Sequence, residues 1–109
     1  MNSSDLEELL DSGADVHLIH VLPKVSFDKA HILGSQHISF YDDDFLERIA
    51  ALAPDLGETL VVYCLSQGCN ASSKAAAALR ESGYADVHDF EGGVEAWRAA
   101  GHSIVEHLR

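Results

Sequence analysis

Thr59-Leu60-Val61-Val62-Tyr63 decides how this chain is read. The run is β-branched and aromatic, and it lacks the polar–apolar alternation of a half-buried strand. It therefore reads as a strand covered on both faces, as in the middle of a parallel sheet. It ends at Cys64. A short loop, Leu65-Ser66-Gln67-Gly68-Cys69-Asn70, follows, and then the alanine-rich stretch Ala71 to Glu81, a strong helix former closed by Ser82-Gly83.

Working outward, the same alternation recurs. Upstream, Ser4-Asp5-Leu6-Glu7 reads as a capping box, with Ser4 capping and Glu7 reaching back. Leu6, Leu9 and Leu10 share one helical face, and Gly13 ends that helix. Val16 to Val21 is a strand stopped by Pro23, and a second short strand is expected around Gln36 to Ile38, entered through Gly34. Phe45, Leu46, Ile49 and Leu52 have helical spacing, before Pro54 and Gly57 break the chain. Asp42-Asp43-Asp44 suits the solvated start of that helix. Downstream come a strand over Val87 to Phe90, a Gly92-Gly93 turn, a helix from Val94 to Ala100 closed by Gly101, and an edge strand at Ile104-Val105. The order implies an α/β fold: a small, mostly parallel sheet flanked by helices on both faces, in a single domain over residues 1–109.

Composition narrows the function. Apolar residues are 47% of 109, enough for a packed core. The net charge of −11, from 18 acidic and 7 basic side chains, repels nucleic acid and anionic membrane, so neither is expected as a partner. The longest apolar run is too short to span a bilayer, and the polar, acidic start lacks the pattern of a secretory leader. The expected location is cytoplasmic. Two cysteines five residues apart make neither a disulfide framework nor a C-x-x-C motif.

In an open parallel sheet, ligands collect outside the carboxyl ends of the strands. Cys64 stands there, just before a helix whose first amides lack internal partners and carry the positive end of the dipole. Loop amides aimed inward form an anion cradle, and such surroundings lower a cysteine's pKa and make its thiolate a nucleophile. On these residues alone, a buried, inert cysteine remains the competing reading. The seven histidines show no ligand spacing. His17 and His20 should point to opposite faces of one strand, His31 and His37 lie in loop-like sequence, and no metal is expected. Trp97 reads as core.

The order of motifs resembles the rhodanese-like family over nearly the whole chain, from Leu6 to Val105. Leu18-Ile19-His20-Val21-Leu22 stands where that family usually has Leu-Ile-Asp-Val-Arg. Phe27 to Ser35 is similar to its Gly-His-Ile-Pro-Gly-Ala segment, and Val61-Val62-Tyr63-Cys64 to the strand ending in its catalytic cysteine. Gly83-Tyr84 matches the end of the next helix. Gly92-Gly93-Val94-Glu95-Ala96-Trp97, followed by Gly101, matches its Gly-Gly-x-x-x-Trp-x-x-x-Gly signature.

The resemblance implies a sulfurtransferase. Cys64 takes a sulfane sulfur from thiosulfate, a persulfide or a similar donor, holds it as a persulfide, and passes it to a thiol, cyanide or protein acceptor. Leu65, Ser66, Gln67, Gly68, Cys69 and Asn70 form the substrate cradle, and no cofactor is implied. Two alternatives stay open: a non-catalytic or weakly active rhodanese-like binding or sulfur-carrier module, and a thiol redox domain using Cys64 and Cys69, with Cys69 as the resolving thiol. The chain departs from the family at His20, Leu22, Ala30 and Leu33. The segment from Leu65 to Ser73 has no Lys or Arg, where many active members carry Arg, so a dianion should bind weakly. Phosphatase relatives need Cys-x5-Arg to grip phosphate; Asn70 holds that place.

Overall fold

The computed structural model describes residues 1–66 and 68–106. Its radius of gyration, 12.9 Å, is that of a close-packed chain of this length. Four parallel strands form the main sheet in the order β3-β1-β4-β5: β1 is Val16–His20, β3 Gln36–His37, β4 Thr59–Tyr63 and β5 Asp86–Phe90. β4 lies between β1 and β5, paired along its whole length on both sides, and residues 60–63 are fully buried. That is why its sequence shows no alternation.

Each face of the sheet carries its own core. On one face α3 (Phe45–Leu52) and α4 (Ala71–Glu81) bury Phe45, Ile49, Ala75, Ala76 and Leu79 against Ile19, Leu60 and Val62. On the other, α1 (Ser3–Asp11) and α5 (Gly93–Ala99) bury Leu6, Val94 and Trp97 against Leu18, Val61 and Tyr63. The alternating side chains of one strand thus feed two cores. Ala75 and Ala76 let α4 approach the sheet closely, and Trp97 is 5% exposed, packed edge-on against Phe90.

Several expectations need correction. The first helix is capped two residues earlier than Ser4: the Asn2 side chain accepts from the Asp5 amide at 2.9 Å, and the Asp5 carboxylate accepts from the Asn2 amide at 3.1 Å. Asn2 and Asp5 take the places that Ser or Thr and Glu usually hold in such a box, and this earlier register was taken. The chain does not simply stop at Pro23. It turns into α2 (Lys24–Lys29), with Pro23 at its N-cap, a position that suits a residue lacking an N–H. No α2 residue is buried, so no apolar periodicity announced it. His31, expected in a loop, lies in a strand, β2 (Ala30–Ile32), and His37 lies in β3, within the short strand expected around Gln36 to Ile38 rather than in a loop. The last strand, β6 (Ile104–Glu106), leaves the main sheet and pairs antiparallel with β2. No helix among the described residues is long and apolar enough to cross a membrane.

Candidate active site

The site is assembled where β4 meets the loop before α4. Cys64 follows the last residue of β4 and is fully buried. Its backbone is held by a different element. The amide of Val94 donates to the Cys64 carbonyl at 3.2 Å, and the amide of Glu95 donates to the Leu65 carbonyl at 2.9 Å. The otherwise orphan N–H groups of the first turn of α5 are thus spent on orienting the cysteine. Gly93 makes this approach feasible. Its φ is +60°, and a Cβ there would overlap the Cys64 carbonyl oxygen and sit 2.9 Å from the carbonyl carbon. The close contact and the left-handed backbone each call for glycine.

The sulfur of Cys64 has two partners. The amide of Ser72, in the first turn of α4, donates to Sγ at 3.2 Å. Cys69 Sγ is joined to it in a disulfide, with the two Cα atoms 6.3 Å apart. Between the cysteines the chain curls back: the Cys69 amide donates to the Ser66 carbonyl at 3.4 Å, and Gly68 turns with φ +96°. The Asn70 carbonyl accepts from the Lys74 amide at 3.0 Å, the first full turn of α4. The sheet end, the Gly92-Gly93 turn and the start of α4 therefore converge on one cysteine.

The expected cradle residues are placed as follows. Leu65 packs against the Trp97 side of the core, and Cys69 against the α4 side. Ser66 and Asn70 contribute backbone carbonyls to the turn, and Gly68 contributes its positive φ. Gln67 lies outside the described residues. The donor on Cys64 Sγ among the described residues is the amide of Ser72, a residue not expected in the cradle. The signal was present: a helix beginning at Ala71 leaves the amide of Ser72 without an internal acceptor.

Beneath the site, Tyr63 is fully buried. Its hydroxyl accepts from the Ile32 amide at 3.0 Å and bonds the Ser35 hydroxyl, tying β4 to the β2–β3 segment. Burial pushes the phenol up to about 12, outweighing those two bonds. His20, at the family's Asp place, packs edge-on against Tyr63 and Phe27. Its Nδ1 accepts from the Leu22 amide at 3.3 Å, so the neutral ring carries its proton on Nε2. That Nε2 makes no well-formed hydrogen bond among the described residues, although the Ala30 backbone lies close enough to favour the charged ring slightly. Burial, seconded by nearby His37, lowers the ring's pKa to about 4.

Four other histidines have partners of their own. His17 meets Glu58 and His88 meets Asp86, each at 2.7 Å; His31 bonds the Phe27 carbonyl, and His37 bonds that of Leu22. A surface cavity of about 420 Å³, lined by Met1, Asn2, Asp5, Phe90, Glu91 and Ala96 among others, includes neither cysteine. Chemically, the site holds a buried cysteine sulfur, a fixed backbone donor aimed at it, and a second cysteine sulfur bonded to it.

The chain is similar to known proteins over most of its length. The model of the rhodanese-like domain matches residues 2–100. A thiosulfate sulfurtransferase GlpE of Pseudomonas aeruginosa is 36% identical over 95 residues, covering 86% of this chain and 78% of that protein. A GlpE of Stutzerimonas stutzeri is 37% identical over 96 residues, covering 87% and 82%. The crystal structure of a thiosulfate sulfurtransferase from P. aeruginosa superposes with a TM-score of 0.85 at 25% identity, over 99% of this chain and 20% of that one.

Proposed function

Since this chain belongs to the rhodanese-like domain family, we propose that it is a sulfurtransferase whose nucleophile and sulfur carrier is Cys64. The observation that carries the reading is the Ser72 amide aimed at Cys64 Sγ from the start of α4, while the amides of Val94 and Glu95 fix the backbone behind it. A backbone donor held there by the fold stabilises negative charge on sulfur without reorganising during reaction. The names of the related sulfurtransferases point the same way.

With the disulfide reduced, the Cys64 thiolate attacks the sulfane sulfur of the donor. For thiosulfate, the donor S–S bond breaks and sulfite leaves with the electron pair, giving the Cys64 persulfide. A thiol, cyanide or protein acceptor then attacks the terminal sulfur, and the Cys64 thiolate leaves. The amide of Ser72 serves both half-reactions, because Cys64 Sγ is the nucleophile of one and the leaving group of the other. A reducing compartment such as the cytoplasm keeps the pair open for this cycle.

A second reading, a thiol redox domain, is favoured by the Cys64–Cys69 bond itself. One experiment separates the two. The reduced protein is incubated with thiosulfate, mercaptopyruvate or glutathione persulfide, followed by intact mass and peptide mapping. Sulfur transfer predicts one added sulfur on Cys64, in this protein or in Cys69→Ser, and none in Cys64→Ser. If no donor leaves sulfur on Cys64, in this protein or in Cys69→Ser, the sulfurtransferase reading is wrong. Disulfide formation under mild peroxide would then mark a redox domain, and its absence a binding module.

A further inference from the structure

We propose that Cys69 is an internal acceptor, which resolves the Cys64 persulfide and releases its sulfur as sulfide. The inference rests on the sulfurtransferase reading and assigns it a product. In the structure Cys69 is bonded to Cys64 Sγ, and that atom becomes the inner sulfur of the persulfide. The Cα separation of 6.3 Å lies within the span disulfides normally bridge. The approach is built into the loop: the Ser66–Cys69 turn and the positive φ of Gly68 fold Cys69 back over β4, where it packs against the α4 side of the core.

The step balances. The Cys69 sulfur supplies an electron pair to Cys64 Sγ, forming the Cys64–Cys69 bond. The bond to the terminal sulfur breaks, and that sulfur leaves with its pair as HS⁻, the Cys69 proton ending on it. The sulfane sulfur is reduced and the two cysteines are oxidised. Two equivalents of a low-molecular-weight thiol, or one dithiol protein, then reduce the disulfide by exchange and restart the cycle. Hydrosulfide is a competent leaving group near neutral pH, since attack at the inner sulfur is favoured when the departing thiol is acidic.

The closed product explains a feature that transfer to an outside acceptor leaves unused. In the disulfide form Cys64 is fully buried, with Cys69 and Leu65 lying against the two cores at the loop's base. A donor cannot reach the nucleophile until a reductant has opened the pair. Donor use is thus coupled to thiol supply.

The test is an anaerobic single turnover. Reduced protein and the Cys69→Ser variant are each loaded with one equivalent of glutathione persulfide, with no other thiol added. Sulfide is measured by methylene blue, and the protein by intact mass and peptide map. An internal thiol acts at an effective concentration of order millimolar, against about ten micromolar for a thiol on another chain, so sulfide release should be roughly a hundredfold faster than in Cys69→Ser. The unsubstituted protein should end as the Cys64–Cys69 disulfide, and Cys69→Ser as a Cys64 persulfide. A stable persulfide on Cys64 beside a free Cys69, or the sulfur mapped on Cys69, overturns the proposal and leaves sulfur transfer standing. No sulfur on Cys64 in Cys69→Ser overturns the reading beneath it.

Discussion

Lowering the pH from about 7.5 to 5 should destabilise this protein through His20, and replacing His20 by Leu should remove that loss. His20 is fully buried, and its Nε2–H makes no well-formed hydrogen bond among the described residues; the nearby Ala30 backbone offsets the burial only in part. Protonation would place a charge against Tyr63 and Phe27, near His37. The folded pKa is therefore lowered from 6.5 to about 4, by burial first and by His37 second. Between those values the unfolded chain binds the proton and the folded one does not. Stability is complete above the unfolded value and drains away as the pH falls from about 6.5 towards 4. Linkage with these two values gives a loss of about 2 kcal/mol at pH 5 and about 3 kcal/mol at pH 4. Against a typical domain stability of roughly 5–15 kcal/mol this is a large share. Urea titrations followed by the fluorescence of buried Trp97 measure it at each pH, with the disulfide kept intact. The depressed carboxylates of Glu58 and Asp86, each hydrogen-bonded by a side-chain partner, also lose stability at low pH. They are present in both proteins and cancel in the difference. His20→Leu should be flatter than the unsubstituted protein by about 2 kcal/mol between pH 7.5 and 5. Parallel curves, within about 0.5 kcal/mol, would refute the claim that His20 stays neutral by burial.

Two further predictions concern the site. Gly93→Ala puts a Cβ into the Cys64 carbonyl at a positive φ, and should cost about 2 kcal/mol or more while slowing persulfide loading; an unchanged thermal midpoint and loading rate would show that the α5 turn does not hold the cysteine. Thiosulfate, a dianion, approaches a chain of charge −11 with no cation between Leu65 and Ser73, so its KM should fall as salt rises and screens the repulsion. Steady-state assays at low and high sodium chloride check this, and a KM that is flat or rises with salt would contradict it.

Much of this molecule could be read from residues whose neighbours in sequence are also their neighbours in structure. The strand Thr59–Tyr63 and the helices Phe45–Leu52 and Ala71–Glu81 begin and end where apolar pattern, alanine content, proline and glycine place them. What escaped depends on distant partners. Ala30–Ile32 is a strand because Ile104–Glu106 lies beside it, and three residues carry no periodicity. Helix α2 buries nothing, so it left no apolar imprint. The site divides the same way. Cys64 was visible as a thiol at a strand end, whereas the amides that surround it come from Ser72, Val94 and Glu95. A backbone donor has no residue type of its own, so only the fold reveals where it points.

The missing loop cation and the second cysteine bear on one another. At an effective dielectric of about 20, a cation some 4 Å from a bound anion contributes on the order of 4 kcal/mol. The segment from Leu65 to Ser73 offers no such group, and the donor aimed at the sulfur is the neutral amide of Ser72. That arrangement suits negative charge already on Cys64 better than capture of a small dianion from solution. A donor such as an organic persulfide, with less charge to hold and an apolar or peptide body to bind, makes smaller demands on this loop. Such donors also arise where thiols are abundant, and thiols are what reopen the Cys64–Cys69 bond. A loop without a cation is a poor trap for a small anionic acceptor such as cyanide; with Cys69 already within bonding reach, release of the sulfur needs no diffusing acceptor, and outside thiols serve only to reopen the pair.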